Sequence, residues 1–251
     1  MKRRSFSGGA VLAPVPPVLV TVSDGEATNV LTVGWCGILA TVPPRTYVSI
    51  RPSRYSYEIL KRGGEFVINL ATASMAREVD YIGIYTGKKV DKFKKCNLTL
   101  TKSENVVPPT IVECPIAIEC RVTEVIPMGS HDVFLADIVG FTADERIIDE
   151  SGRLDFAKAD LLAYSHGEYF SLGERLGSFG FSTKPEDKRA ARPAKSPPEK
   201  KDSKSGNATD IGGKNQKGAP TKEGNDKATT GTKDGHKPFY EDIIRRGKKR
   251  R

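Results

Sequence analysis

A series of short apolar runs bounded by turn-forming residues is the feature that most constrains how this chain folds. Such runs, rich in Val, Ile, Leu and aromatic residues and separated by Gly, Pro and Asp, are typical of β-strands. The pair Asp24-Gly25 predicts a hairpin turn between the first two runs. Many short strands predict a mainly β protein with a closed or partly closed barrel. The predicted strands are Val18–Val22, Asn29–Trp35, Tyr47–Arg51, Phe66–Leu70, Ile116–Ile126, Phe134–Thr142 and Leu161–Tyr164.

Two segments interrupt the strand pattern. Ser56–Arg62 mixes apolar and polar residues and ends before Gly63 and Gly64, which is typical of a helix with a glycine stop. Ser74–Ile82 has its apolar residues at helical spacing and predicts a second short helix.

Charge divides the chain near residue 183. Residues 1–182 carry 20 Lys/Arg and 21 Asp/Glu, a net charge of −1, whereas residues 183–251 carry 20 and 10, a net charge of +10. The second segment has no aromatic residue before Phe239, so it cannot bury enough apolar surface to offset its ordering entropy. We therefore predict a folded domain over 1–182 and a disordered, Lys/Arg-rich tail over 183–251. The charge of this tail suits an acidic partner or nucleic acid, although a solvated extension without a partner is the alternative.

The N-terminal segment and the hydropathy of the chain indicate whether the protein is exported or crosses a membrane. Met1–Phe6 is basic and precedes the apolar stretch Ala10–Val22, as in an export signal, but three prolines break any helix there. No run reaches the roughly 18 apolar residues that a membrane-spanning helix needs. We therefore expect a cytoplasmic protein without a membrane span.

Residues 1–182 offer few groups for acid–base or metal chemistry. They contain two histidines, His131 and His166, and lack the GxSxG, HExxH and P-loop patterns. The four cysteines form no CxxC pair, so no metal site is predicted and reduced, buried thiols are expected. Cys114 and Cys120 are expected to share one face of a strand, because they are six residues apart. If the protein is an enzyme, we expect a bound cofactor to supply the chemistry.

Six segments occur in an order that matches one known family. They are Asn29–Pro44, Tyr47–Tyr57, Gly64–Leu70, Thr86–Phe93, Gly129–Phe134 and Gly173–Ser182. Collinearly over about residues 12–182, they resemble the flavin reductase-like, FMN-binding split-barrel family, most of all its flavoredoxin branch. The resemblance implies a split β-barrel with Greek-key-like topology and a few short helices. It also implies a homodimer that holds the flavin at the subunit interface.

The resemblance implies a ring-binding segment and a phosphate-binding segment. At Gly37 the backbone can approach a flat ring closely, although a barrel-corner glycine is the alternative. The stretch Arg51–Ser56 leads into a helix N-terminus, where guanidinium, hydroxyl and amide groups suit a phosphate, although a solvated turn capped by Ser53 or Ser56 is the alternative. The residues implied to contact FMN in these two segments are Trp35, Cys36, Gly37, Ile38, Ser49, Arg51, Ser53, Arg54, Tyr55 and Ser56.

A second basic wall is implied by the segment after the second helix. Its residues are Thr86, Gly87, Lys88 and Lys92, and the dimer mate is the expected source. Lysine cannot bind phosphate through two parallel hydrogen bonds as arginine does, so this contact is expected to be weaker or mediated by water. A charged surface loop is the alternative.

His131 is the one candidate catalytic side chain, since the resemblance places it at the flavin, where it helps to seat the reductant. The alternative is a structural histidine. Cys36 is either redox-active beside the flavin or a small buried filler.

The function implied is that of an FMN-binding oxidoreductase, with FMN rather than FAD as its cofactor. Electrons would pass from NAD(P)H or a protein donor through the flavin to a flavin, a protein or a small-molecule acceptor. The alternative is a flavin-binding module that is not a reductase, because a fold alone does not determine function.

Overall fold

A computed structural model describes residues 2–183. Residues 2–175 lie in one compact unit, and the short stretch from Leu176 lies outside it, with a 3₁₀ turn at Phe181–Thr183. The predicted disordered tail, 183–251, lies outside the described residues except for Thr183.

The compact unit consists mainly of strands with a few short helices. In chain order its elements are β1 (Val18–Ser23), β2 (Thr28–Val33), β3 (Cys36–Thr41), β4 (Pro44–Ile50), α1 (Tyr55–Gly63), β5 (Glu65–Leu70), a 3₁₀ turn (Ala73–Met75), α2 (Ala76–Ile84), α3 (Lys92–Lys95), β6 (Leu100–Thr101), β7 (Thr110–Ile111), β8 (Ile116–Pro127), β9 (Asp132–Ala143), a 3₁₀ turn (Glu145–Ile147), β10 (Leu162–Ser165) and β11 (Glu168–Ser171). The hairpin predicted at Asp24-Gly25 joins β1 to β2, and Gly25 adopts the positive φ of 89° that such a turn favours.

Seven antiparallel strands form one sheet in the order β2-β1-β5-β8-β9-β4-β3. Its two edge strands, β2 and β3, are consecutive in the chain and are joined only by Gly34 and Trp35. A flat sheet of this size would hold its edges about 29 Å apart, whereas two linking residues span roughly 10 Å. The sheet therefore curls until its edges meet at this link, which we call the seam. This geometry confirms the predicted mainly β split barrel.

Helix α1 makes the connection that gives the barrel its Greek-key-like topology. The chain runs from β4 through α1 to β5, which lies beside β1 on the far side of the sheet. The helix buries Tyr57, Ile59 and Leu60 in the barrel core. It ends at Gly64, whose φ of 68° allows the amide to bond back to the carbonyl of Leu60. The other core residues come from the strands and include Val18, Val20, Val22, Leu31, Val33, Val48, Ile50, Phe66, Ile68, Cys120 and Phe134.

A second apolar cluster lies on the outer face of the sheet. Alternate residues of a strand point to opposite faces, so Leu19 of β1 packs outside the barrel against Val79 and Ile82 of α2. Cys114 belongs to this outer cluster and lies in a turn before β8, whereas Cys120 lies in the barrel core. The expectation that these two cysteines share a strand face is therefore wrong.

The predicted strands and helices are observed with small shifts in their bounds. The expected helix Ser74–Ile82 is a 3₁₀ turn followed by α2, and strand β3, Cys36–Thr41, was not predicted. At the edge of the sheet β3 keeps most side chains partly or fully exposed, so it shows no apolar alternation. Within residues 2–183 no helix has both the length and the apolar character needed to cross a membrane.

Candidate functional site

A cavity of about 220 Å³ opens at the seam, where Gly34 and Trp35 join the two edges of the barrel. The end of β4 supplies Ser49, and the turn that follows supplies Arg51 and Arg54. Further lining residues are Pro17, Leu31, Thr32, Val33, Ile50, Gly83, His131, Tyr164 and Tyr169. We call this space the arginine cavity. It contains no Asp or Glu among its lining residues, which favours an anionic ligand.

Arg51 and Arg54 stand at the N-terminus of α1, and both are exposed. Arg54 is the N-cap residue, and no side chain caps the helix, so amides of its first turn are available to a ligand. The Arg54 guanidinium donates from Nη1 to the carbonyl of Gly83 at 3.0 Å, which holds it against the end of α2. Two guanidinium groups beside an uncapped helix start form a strong site for phosphate or carboxylate.

Trp35 and His131 form an aromatic wall of the arginine cavity. Their ring centroids lie 4.6 Å apart with the planes tilted by 37°, and the Oγ of Ser130 lies 2.9 Å from Nδ1 of His131. Partial burial, followed by the positive charges of Arg51 and Arg54, lowers the pKa of His131 below its ordinary value of 6.5. The imidazole is therefore neutral at pH 7.

Tyr164 and Tyr169, from the β10–β11 hairpin, supply a second aromatic part of the lining. Their ring centroids lie 5.2 Å apart, and the hydroxyl of Tyr169 donates to Oδ1 of Asp80 at 3.3 Å. Burial, together with the nearby Asp80, raises the pKa of Tyr169, so its hydroxyl stays protonated. With Trp35 and His131, these rings make the cavity suited to a flat aromatic ligand that carries an anionic group.

A second cavity of about 500 Å³ lies near the same helix N-terminus and is bounded by Tyr55, Gly87, Lys88, Lys89 and Lys92. We call it the lysine cavity. Lys92 is only 4% exposed, and its ammonium donates to the carbonyls of Val30 at 2.9 Å and Ile82 at 2.8 Å. Burial, then the charge of Arg54, lowers the pKa of Lys92 to about 8. Most of the hydrogen-bonding capacity of Lys92 therefore serves to tie α3 to β2 and α2.

The loop that carries Gly87 approaches Asn29 of β2 closely. A Cβ atom at Gly87 would clash with the Asn29 side-chain oxygen, so a larger residue there would require Asn29 to shift. The Asn29 Nδ2 donates to Oγ of Ser56 at 2.7 Å. The loop therefore passes close to a side chain that is itself bonded to α1, and Lys88 and Lys89 remain exposed.

The structure divides the predicted site residues among three locations. Trp35, Ser49, Arg51, Arg54 and His131 line the arginine cavity. Tyr55, Gly87, Lys88 and Lys92 line the lysine cavity. Neither cavity is lined by the remaining candidates, which are Cys36, Gly37, Ile38, Ser53, Ser56 and Thr86.

Several of these remaining candidates have structural contacts of their own. Cys36 packs against the barrel core, and burial raises its pKa to about 11, so its thiol is protonated at neutral pH and the filler interpretation is favoured. Gly37 packs against the ring of Tyr47, and Ile38 is 63% exposed on the edge strand. Thr86 accepts a hydrogen bond from the amide of Lys88 at 3.4 Å.

The sequence did not predict that Tyr164 and Tyr169 line the arginine cavity or that the carbonyl of Gly83 accepts from Arg54. No local pattern marks these residues, because the fold brings them to the seam from distant segments. Within residues 2–183 there is also no group of three or more His, Cys, Asp or Glu residues positioned to hold a metal ion.

Comparisons with known proteins agree with this architecture. Residues 12–173 match the family model described as flavin reductase like domain. An uncharacterised protein of Archaeoglobus fulgidus is 33% identical over 160 residues, which is 64% of this chain and 89% of that protein. The solved flavoredoxin of Desulfovibrio vulgaris (Miyazaki F) is 30% identical with a TM-score of 0.68, covering 73% of this chain and 100% of the other. An FMN-binding protein of Thermus thermophilus, solved with 1-cyclohex-2-enone, is 25% identical with a TM-score of 0.59, covering 71% and 97%.

Proposed function

This chain belongs to the flavin reductase-like family, and on that premise we propose that it is a flavin-dependent oxidoreductase with FMN bound at the arginine cavity. One observation carries the proposal: Arg51 and Arg54 flank an uncapped helix N-terminus beside the Trp35–His131 stack. FMN combines a flat aromatic ring system with a terminal phosphate. The cavity offers groups that match both parts.

The phosphate of FMN fits the cationic end of this cavity. The two guanidinium groups would hold it through charge-assisted hydrogen bonds, and amides at the start of α1 would add donors along the helix dipole. Because the lining residues include no carboxylate, no negative charge of the cavity wall opposes the phosphate.

The ring system fits the aromatic end. Bound FMN would accept electrons from a donor and pass them to an acceptor, which is chemistry that the protein side chains lack. Trp35, Tyr164 and Tyr169 would pack against the flat faces of the FMN ring system and exclude water from those faces. A neutral His131 would offer one hydrogen-bonding nitrogen to a ligand while its Nδ1 is engaged by Ser130.

We further propose that the site is completed by a second copy of the chain. A volume of about 220 Å³ is below the roughly 300–1,000 Å³ of complete ligand pockets. Next to Trp35, the edge strand exposes Ile38 by 63% and Leu39 by 51%, an apolar surface suited to burial in a homodimer. Ile38→Asp should convert a dimer into monomers in analytical ultracentrifugation and weaken FMN binding. A wild-type monomer that binds FMN fully would contradict this part of the proposal.

The electron donor and acceptor are the remaining parts of the proposal. We propose NAD(P)H or a reduced protein as the donor, and a flavin, a protein or a small molecule as the acceptor. The full chain should be loaded with FMN and mixed anaerobically with NADH or NADPH. Loss of flavin absorbance near neutral pH is the expected result.

Each alternative result of this experiment has its own meaning. If the protein binds FMN stably and a protein donor reduces the flavin but neither nucleotide does, the chain is still an oxidoreductase. NADH and NADPH are then excluded as its electron donors. Binding without reduction by any donor would leave a flavin-binding module. A protein that gains no flavin on mixing would overturn the whole proposal.

For the segment beyond the described residues, the proposal rests on charge alone. Residues 183–251 have a net charge of +10. We propose that they contact an acidic protein or nucleic acid, with an affinity that falls steeply as salt rises. A binding titration of the full chain against an oligonucleotide at two salt concentrations tests this, and an affinity that does not depend on salt would contradict it.

A further inference from the structure

A partly buried hydrogen bond joins helix α1 to the start of strand β9. The hydroxyl of Tyr57 donates to Oδ2 of Asp132 at 2.5 Å. Tyr57 is 4% exposed, and its ring meets Phe134 edge-on at 5.4 Å. The hydrogen bond to Asp132, with burial, raises the pKa of Tyr57 to about 12, so the hydroxyl keeps its proton across the physiological range.

The two residues of this bond lie in segments that also carry three lining residues of the arginine cavity, Arg51, Arg54 and His131. Tyr57 lies one helical turn beyond Arg54, on the helix whose N-terminus the two arginines flank. Asp132 directly follows His131 and pairs across the β4–β9 ladder with Ile50, the residue before Arg51. One hydrogen bond therefore links the backbone segments that carry Arg51, Arg54 and His131.

Apolar packing alone does not determine this arrangement. Ile59 and Leu60 anchor α1 in the barrel core, but the hydrophobic effect is non-directional and tolerates a small rotation or slide of the helix. A hydrogen bond of this length constrains both distance and angle. It is therefore a directional contact between α1 and the tip of the β8–β9 hairpin, whereas the bonds of Ser56 to Asn29 and of Arg54 to Gly83 hold the helix start to other elements.

We propose that Tyr57 and Asp132 are a positioning pair that holds the arginine pair at its working distance from the Trp35–His131 stack. The proposal rests on the proposed function only in naming FMN as the ligand. Neither residue lines the cavity, so their effect on a ligand passes through Arg51, Arg54 and His131.

The test exploits the fact that Trp35 is the only tryptophan of the chain. Protonated imidazole quenches indole emission, so the emission of Trp35 as a function of pH reports its contact with His131. In the flavin-free wild type, quenching should appear as the pH falls below 6.5, since the pKa of His131 is lowered. In Tyr57→Phe the stack should loosen, so most of the pH-dependent quenching should be lost. The FMN dissociation constant of this variant should rise about tenfold, the effect of weakening one hydrogen bond between the displaced arginine pair and the ligand.

Two further variants distinguish an effect on the position of the arginine pair from a general loss of fold stability. Asp132→Asn retains a side-chain oxygen that can accept from Tyr57, so it should show a smaller loss than Tyr57→Phe. Thr21→Val removes another hydroxyl bond, to the carbonyl of Pro109 at 2.6 Å, which borders the lysine cavity and not the arginine cavity. It should lower the unfolding midpoint while leaving Trp35 quenching and FMN affinity unchanged.

The outcomes are distinguishable from failure of the proposed function. If Tyr57→Phe leaves both the quenching and the FMN affinity as in the wild type, the positioning role is overturned. The role is equally overturned if Thr21→Val reproduces the changes of Tyr57→Phe, because both variants then report only lost stability. If the wild type binds no FMN, the proposed function fails, while the flavin-free Trp35 measurement still decides the positioning role.

Discussion

The two cavities beside helix α1 are both lined by cations, yet they use them differently. In the arginine cavity the guanidinium groups of Arg51 and Arg54 are exposed, and Arg54 donates to a backbone carbonyl through Nη1. In the lysine cavity the buried ammonium of Lys92 already donates to two backbone carbonyls. Positive charge therefore does not by itself locate a ligand site. What matters is whether the donors remain available after folding.

The two cavities also differ in their carboxylates. The lining of the arginine cavity includes none, whereas Asp91 borders the lysine cavity and caps α3 by accepting from the amide of Lys94. The arginine cavity also adds aromatic rings on two sides. The contrast supports the proposal that the phosphate of FMN binds at the arginines, and it gives Lys92 a mainly structural role.

The largest expected effect comes from removing the arginine pair. The double variant Arg51→Gln/Arg54→Gln should raise the FMN dissociation constant about 100-fold or more, since two charge-assisted hydrogen-bond donors are lost. Isothermal titration calorimetry measures this change. The matched control, Lys88→Gln/Lys89→Gln, removes the same charge from the tip of the other loop and should change affinity by no more than about threefold. Equal losses in the two variants would contradict a specific role of the arginines, and a loss confined to the lysine variant would move the phosphate to the lysine cavity.

Lys92→Met should affect the fold more than the ligand. It leaves the carbonyls of Val30 and Ile82 without their donor, so the free energy of unfolding should fall by about 3 kcal/mol. Urea denaturation of the flavin-free protein gives this value. FMN affinity of the folded variant should stay within about threefold of the wild type. Unchanged stability combined with lost flavin binding would show that Lys92 is a ligand residue instead.

A smaller expected effect concerns the pKa of His131, which depends on the charges of Arg51 and Arg54. Arg51 and Arg54 help to lower the pKa of His131, so an anion that neutralises them should raise it. With saturating inorganic phosphate, the midpoint of the Trp35 emission titration should shift upward by roughly half a pH unit. The shift should vanish in Arg51→Gln/Arg54→Gln and persist in the lysine double variant. A downward shift would contradict this electrostatic coupling.

The smallest effect is expected from removing the basic segment. A chain ending at Thr183 should bind FMN within about twofold of the full chain at about 0.15 M salt, where distant exposed charges are screened. Titration of both chains with FMN checks this expectation. A large loss on truncation would show that residues beyond Thr183 contribute to the flavin site.

Local patterns in the sequence predicted many parts of this fold. The turn at Gly25 and the helix stop at Gly64 follow from backbone conformations that glycine adopts easily, and the buried strands follow from their apolar composition. Strand β3 was missed because an exposed edge strand needs no apolar alternation. The candidate residues of the β4–α1 turn were placed at a helix N-terminus, as observed for Arg54.

Other features depended on surroundings that a sequence does not show. Lys92 is identical in type to the exposed Lys88 and Lys89, and only its burial against two carbonyls gives it a different role. Cys36 was open to a redox role until its packing against the core showed a thiol with a raised pKa. The properties of Lys92 and Cys36 both result from desolvation, which depends on all the residues that the fold packs around a side chain.

By itself, the sequence determined the strand and turn pattern, the near-neutral first 182 residues, and the basic residues at the start of α1. Each of these follows from residues close together in the chain. Only the tertiary structure decided where the sheet closes, because β2 and β3 become its opposite edges when their neighbours β1 and β4 pair with the distant strands β5 and β9. That closure brings Trp35, His131 and Tyr164 to one cavity, and contacts between such distant residues leave no local periodicity to read.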